Sequence, residues 1–353
     1  MLVADAVGDA FGFGIEMADA TWIRQNVAFD TWPQKPEMPD WWSTLPHGCY
    51  SDDCEMTVGL MNGLAGEGRG LDAEGMLRFW RSEYDLAAQR PPPVPPGCPR
   101  YGHGSVRFVW NGDSSMEDIR GQQAKKEDPG NAPPMRALAL AFMPDEDRAR
   151  LCASNADATH PHPKARAASL LVAEGARWLI VARGERGRVL EVSLAALKSS
   201  SLSEPRTELH LEKLEALPDY HEYGARFADM PADVHELLCG PQPCPHMPGM
   251  HGIWSDSMRT AGAVLYILKW HRGPLDALTA SVDLGGDVDS VAALVLGCIG
   301  GSSGLGLGEP GGLPGFLVEE VEGVEYLVAR AAAFEAWLRG QGLWGPAEPA
   351  PAA

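Results

Sequence analysis

Val282-Asp283-Leu284-Gly285-Gly286-Asp287-Val288-Asp289-Ser290 sets two carboxylates and a hydroxyl behind a pair of glycines and just ahead of the apolar run Val291 to Ile299. The glycines allow the sharp turn that lets Asp287 and Asp289 point into one space, and clustered oxygens of this kind are what hard divalent cations need. A second group of the same chemistry stands far upstream, at Ser51-Asp52-Asp53. Each group also has an ordinary structural reading, because hydroxyl and acidic residues in a first helical turn cap free N–H groups. The pattern Met56, Leu60, Met61 and Leu64 after Asp53 fits such a capped amphipathic helix. What separates the two readings is whether the groups meet in space. If they do, Asp52, Asp53, Asp287 and Asp289 put about four negative charges together, and like charges that close cannot all ionise unaided. Two divalent cations would neutralise them, and carboxylates with the Ser51 and Ser290 hydroxyls suit Mg²⁺ or Mn²⁺.

Elsewhere the chain reads as helices joined by turns. Residues 2–19 predict a short buried helix ending near Gly12 to Gly14, with glycines that suit close helix packing or a nearby ligand. The Trp- and Pro-rich stretch from Trp22 to Cys49 has no period and is expected to be an irregular loop. Met76 to Ala88 looks helical, and Arg90 to Gly97 is a polyproline segment. In Tyr101-Gly102-His103-Gly104-Ser105 the glycines either turn the chain or expose backbone N–H groups to a phosphate. Ala137 to Met143 is an apolar run, and Asp145 to Arg150 begins a helix. His160-Pro161-His162-Pro163 is a rigid helix start or a ligand-binding pair ahead of a long helix from Lys164 to Ala182. Residues 183–218 have a solvated composition and are expected to hold the loosest loops. Cys239, Cys244, His246 and His251 lack the spacing of common structural zinc sites. Met258, Ala261, Val264, Leu265 and Leu268 define a buried helix, Gly301 to Gly315 a long turn, and Val318 to Leu338 a last helical region. With hardly any strand alternation and no internal repeat, the expected class is all-α.

The 353 residues, 45% of them hydrophobic, can bury a large core. A net charge of −19 makes duplex nucleic acid or an anionic membrane a poor partner, while leaving room for a small anion in a local pocket. Seven cysteines are too few for a disulfide scaffold, and their odd number fits reduced thiols. No apolar run reaches the roughly 18 residues of a membrane span, and no signal pattern opens the chain. The expectation is a soluble cytoplasmic protein, with a monomer as the default.

Several motifs in order resemble the ADP-ribosylglycohydrolase family. They are Gly8-Asp9-Ala10-Phe11-Gly12 with Glu16, Tyr50-Ser51-Asp52-Asp53-Cys54-Glu55-Met56, Gly130-Asn131 with Met135-Arg136, Thr159-His160-Pro161-His162-Pro163, and Gly285 to Ser290. Tyr101-Gly102-His103-Gly104 is similar to that family's phosphate-binding loop. The resemblance implies a compact helical fold with a two-metal cleft, in one domain over 1–340 followed by a tail, 341–353. Carried residue by residue, it implies Ser51, Asp52 and Asp53 as metal ligands on one side and Asp287, Asp289 and Ser290 on the other. It implies Gly102, His103, Gly104 and Ser105 at a diphosphate, with Asn131 and His160 lining the cleft. Glu16 or Asp53 would be the carboxylate that handles protons. The implied activity is hydrolysis of the ribose glycosidic bond of an ADP-ribosylated protein or an ADP-ribose derivative. The alternatives are another small N-glycoside or nucleoside as substrate, or a non-catalytic ADP-ribose binder. Cys54 and Val288 stand where the family commonly has Thr, and the Trp/Pro-rich loop and polyproline run are departures that bear on substrate choice.

Overall fold

A computed structural model describes residues 1–34, 47–87, 106–245 and 247–345. Among these residues the class is all-α, and the only extended pairing consists of two isolated bridges, Ala18 to Gly286 and Ile253 to Gly286. The first half carries α1 (Leu2–Phe13), α2 (Ala20–Asn26), α3 (Asp52–Glu67), α4 (Ala73–Ala87), the short α5 (Val106–Trp110), α6 (Met116–Lys125) and α7 (Ala132–Met135). The second half adds α8 (Asp145–Asp157), α9 (Pro163–Ala176), α10 (Val189–Ser199), α11 (Pro205–Glu215), α12 (Ala232–Cys239) and α13 (Ser257–Trp270). It closes with α14 (Pro274–Asp283), α15 (Val288–Ser302), α16 (Gly315–Glu319) and α17 (Val324–Gly340). No helix among the described residues is long and apolar enough to cross a membrane.

The centre of the core is α1 laid against α15, both almost wholly buried. Glycine makes the contact possible. A Cβ on Gly8 would lie 2.2 Å from the Ala292 carbonyl oxygen, and one on Gly12 would lie 2.3 Å from Asp289 Cα. The two backbones therefore touch directly, which fixes the first turn of α15 against the end of α1. Around this pair, α3 packs on α4, and α9 packs on α8, α10 and α13. Trp80 of α4, fully buried, donates from its ring N–H to the Met56 carbonyl at 2.9 Å, tying α4 to α3.

Two segments differ from the sequence reading, and others gain detail. Residues 183–218 are mainly the two helices α10 and α11, which bury Leu190, Leu197, Leu211 and Leu214. Their polar composition belongs to the outer faces, while the leucines recur at helical spacing. Within Trp22 to Cys49 the chain is helical as far as Asn26, because Asp19 caps α2 by accepting from Thr21 N–H at 2.8 Å and Trp22 N–H at 3.3 Å. The helical region expected over Val318 to Leu338 is present as the end of α16 and most of α17, parted where Gly323 takes a left-handed φ of 63°. The apolar run Ala137 to Met143 is a tight 3₁₀ turn over Leu138–Phe142. The helix expected over Lys164 to Ala182 is present, its last turn widened to a π turn at Arg177–Val181. The polyproline run, residues 101–105 and His246 lie outside the described residues. Cys239 and Cys244 are buried, and His251 faces Asp19 instead, its Nδ1 3.1 Å from Asp19 Oδ2.

Gly12→Ala is expected to cost about 2 kcal/mol or more, since backbone and not a flexible side chain occupies the space its methyl needs. Gly121→Ala in α6, with nothing within 4 Å of the new methyl, is expected to raise stability by about 0.5–1 kcal/mol. Denaturant midpoints of the two variants check the contrast, and a tolerated Gly12→Ala would refute the contact.

Candidate active site

The two acidic groups meet. A cleft of about 320 Å³ is lined by Asp52 and Asp53 from the start of α3, by Asp287, Asp289 and Ser290 from the start of α15, and by Glu16 beyond α1. Ser51 is the N-cap of α3: its hydroxyl oxygen accepts from Asp53 N–H at 3.2 Å and lies 3.3 Å from Asp53 Oδ2. Behind it, the buried Asp9 of α1 accepts from Ser51 N–H and from Cys54 N–H, both at 2.9 Å. One carboxylate thus holds the backbone on either side of Asp52-Asp53, and the capping and cleft-lining readings are both true of this turn.

The opposite wall is built at Gly285 and Gly286, with φ of 73° and 80°. Three chain segments cross here. Met17 N–H donates to the Gly286 carbonyl at 2.8 Å and Gly286 N–H to the Ala18 carbonyl at 2.8 Å, while Ile253 N–H reaches the Gly285 carbonyl at 2.9 Å and Asp287 N–H the Ile253 carbonyl at 2.9 Å. A Cβ on Gly286 would sit 1.9 Å from the Ile253 carbonyl oxygen, so no other residue fits. The crossing sets Glu16 beside the acids of α15, and oxygens of Glu16, Asp287 and Asp289 lie within 4.8 Å of one another.

Electrostatically this is a costly arrangement for the bare chain. Burial, and then Asp9, Asp52 and Asp287, push the Asp53 carboxyl well above the usual range. Burial, and then Glu16, Asp287 and Asp53, do the same to Asp289. Asp53 Oδ1 and Asp289 Oδ1 are buried without a hydrogen-bond partner among the described residues. Repelling carboxylates, orphaned oxygens and an oxygen-only donor set fit a hard cation, so the group Glu16, Asp287 and Asp289 could hold a metal ion.

The rest of the lining carries no carboxylate and mixes polar side chains with Phe13, Ala132, Met135 and Trp254. Asn131 lines it and donates from Nδ2 to Asp287 Oδ2 at 3.2 Å and to the Thr260 hydroxyl at 3.3 Å. His160 lines it too, with Nδ1 2.8 Å from the Thr159 hydroxyl, which accepts from Arg136 at 2.8 Å. Arg136 is itself fully buried, stacked 3.8 Å over Trp80 and bonded to Asn155 Oδ1 at 2.7 Å. Burial, and then Arg136 and Lys126, hold the His160 imidazole well below its usual pKa, so it is neutral at pH 7. Gly102, His103, Gly104 and Ser105 lie outside the described residues, and Ser51 stands behind Asp53 without lining the cleft. Sequence reasoning missed the clamp made by Asp9, although Asp9 sat inside a quoted motif. It also missed Phe13, Gln123, Lys126, Arg107, Trp254 and Ser255 on the cleft wall, which no spacing singled out.

A family model described as ADP-ribosylglycohydrolase matches residues 1–342. The chain belongs to the ADP-ribosylglycohydrolase family. Among solved structures, one described as an ADP-ribosylglycohydrolase-related protein complex is similar in fold, with a TM-score of 0.59 and 20% identity over 95% of each chain. Comparison with curated proteins found no match. In this member of the ADP-ribosylglycohydrolase family the acid cluster lies between α1, α3 and α15, at the end of the core's tightest helix contact.

The metal-free protein should lose stability as pH rises. Burial pushes Asp9 up from 3.8 to about 7, so between those values its proton leaves the unfolded chain but stays on the folded one. The unfolded state then binds fewer protons, and stability falls with pH across that window; Asp53 and Asp289 shift in the same direction. Thermal midpoints with a chelator should therefore drop from about pH 5 to about pH 7. A rising midpoint would contradict the electrostatic reading.

Proposed function

We propose that the protein is a metal-dependent hydrolase that cuts the ribose glycosidic bond of an ADP-ribosylated protein or another ADP-ribose derivative. The observation that carries this reading is the convergence of Glu16, Asp52, Asp53, Asp287 and Asp289 in one cleft, with buried oxygens of Asp53 and Asp289 left without partners. Family membership supports the substrate class. Two divalent cations, Mg²⁺ or Mn²⁺, are assigned to Asp52, Asp53, Asp287, Asp289 and the Ser290 hydroxyl, with Ser51 orienting Asp53 from behind. Bound there, they would supply Lewis acidity toward the ribose hydroxyls and an attacking water.

Cleavage at an anomeric carbon develops oxocarbenium character, so the chain must position the ribose, deliver a proton to the leaving group and take one from water. Glu16 is the carboxylate suited to proton handling. It is half-buried at the cleft wall and can exchange protons with solvent, whereas Asp53 is buried among other acids. His160, neutral and fixed by the Thr159–Arg136 chain, offers a hydrogen bond without competing for the cations. Asn131 holds Asp287 in register.

Glu16→Gln should lose roughly 100-fold or more in kcat, the range for a proton-transfer group, while its metal affinity, though Glu16 lies beside Asp287 and Asp289, falls less than in Asp289→Ala. Asp289→Ala should instead lose metal affinity, read by titration calorimetry with Mg²⁺ and Mn²⁺. Unchanged turnover in Glu16→Gln would remove it from proton transfer, and full metal affinity in Asp289→Ala would sink the ligand set. A panel of ADP-ribosylated protein, O-acetyl-ADP-ribose and free nucleosides separates the proposed substrate class from a simple nucleoside or N-glycoside.

A further inference from the structure

Arg226 does not line the acid cleft, yet its side chain ties together the two chain segments that run into the crossing at Gly286. It sits in the tight turn Ala225–Phe227 with a left-handed φ of 58° and ψ of 38°, and Phe227 follows with a φ of 54°. Two consecutive residues other than glycine in this region are uncommon and cost conformational energy, so tertiary contacts must hold them there. The guanidinium makes those contacts. Its Nε lies 3.2 and 3.1 Å from Asp283 Oδ1 and Oδ2, and its Nη2 donates to Asp283 Oδ1 at 2.8 Å. Nη1 donates to the Val27 carbonyl at 3.0 Å and Nη2 reaches the Ile23 carbonyl at 3.4 Å, so the same fork also closes the C-terminal end of α2. The guanidinium carbon stands 5.3 Å from the centroid of the Phe29 ring, which stacks on Phe11 of α1. Asp283, the last residue of α14, has a fully buried side chain, and its carbonyl takes a further bond from Arg24 of α2 at 3.4 Å. Along the chain, α2 starts just past Ala18, and Asp283 stands just ahead of Gly285. Arg226 therefore joins the two segments a short way from the point where Met17, Ala18 and Gly286 exchange backbone hydrogen bonds. Glu16 precedes Met17 and Asp287 follows Gly286, so the acids leave directly from that exchange.

We infer that Arg226 is a positioning residue of the acid cleft: by pairing with Asp283 and with the end of α2, it locks the two segments in the arrangement that sets Glu16 beside Asp287 and Asp289. The inference rests on the reading above that these acids face a cation, and it adds a residue that touches neither cation nor substrate. The backbone bonds at Gly286 join the segments at one place, about which they could pivot. The tie at Asp283 removes the pivot. Oxygens of Glu16, Asp287 and Asp289 that lie within 4.8 Å of one another suit a small cation only while their separation is kept, because Mg²⁺ demands near-ideal geometry. Lysine would not replace Arg226, since a planar fork serves one carboxylate and two carbonyls at once and a single ammonium does not. The pairing is also what the buried Asp283 carboxylate requires, as an ionised acid without a partner is costly inside a core.

The test compares the full unaltered chain with Arg226→Gly, Arg226→Lys and Asp283→Asn. Glycine takes the left-handed backbone without strain, so Arg226→Gly removes the side chain and leaves the turn. Calorimetry with Mg²⁺ and with Mn²⁺, at a temperature where every variant is folded, should show binding about tenfold weaker in Arg226→Gly and Arg226→Lys, the range for groups that orient metal ligands, with a smaller loss in Asp283→Asn. Amide hydrogen exchange of the metal-free protein gives a second readout. The Met17, Gly286 and Asp287 N–H groups should exchange faster in Arg226→Gly, while those of the buried helix α9 keep their rates. Unchanged metal affinity in Arg226→Gly overturns the role. Exchange that quickens equally at the crossing and in α9 also overturns it, since Arg226 would then serve global stability alone. If Arg226→Gly does not fold, Asp283→Asn decides by the same two readouts. If the unaltered protein binds neither Mg²⁺ nor Mn²⁺ while the crossing amides alone are loosened, the positioning role stands and the metal reading above fails.

Discussion

The direct contact of α1 with α15 is the constraint on which the site depends. Gly8 and Gly12 remove the side chains that would hold the two helices apart, and the resulting approach sets Asp289 against the end of α1. Glu16 follows a few residues later and is pinned by the crossing at Gly286. Asp9, on the same helix, reaches the other way and holds Ser51 and Cys54. A single buried helix therefore references both acidic turns to one frame, which is why residues more than 230 positions apart in sequence line one cleft.

That frame holds an electrostatic load that packing must carry. Burying several carboxylates together disfavours their ionised forms, and the fold accepts this because the helices around them are fixed by a large apolar core. The polar side of the cleft is held differently. Arg136 is sequestered under Trp80, and its hydrogen bonds run through Thr159 to His160. A buried cation there orients a neutral imidazole without placing its own charge in the cleft, and it satisfies Asn155 along the way.

Much of this was legible in the sequence, for reasons particular residues make plain. The helical class follows from leucine and alanine spacing in segments such as Val264 to Leu268, and the two acidic turns announced themselves through glycine, acid and hydroxyl residues in short compass. The convergence of those turns was not written in either one; it came from the ordered family motifs and needed the three-dimensional frame to become a fact. The helices α10 and α11 were hidden because surface charge and serine dominated the composition while only a few leucines marked the buried face. Arg107, Lys126 and Gln123 were unreadable for a deeper reason. Each is an ordinary surface residue by type, and only the fold of α5 and α6 beside Gly130 brings them to the cleft wall.

Asp52 and Asp53 occupy the first turn of α3, and Asp289 the first turn of α15. Both helices thus aim their positive dipole ends at the same cavity, each offsetting part of the acid repulsion by roughly 0.3–1 kcal/mol per charge. This partial compensation favours the ionised carboxylates at both turns. Two helix starts that converge on one space are therefore a fixed source of positive potential beneath the acids, built into the backbone and independent of any side chain.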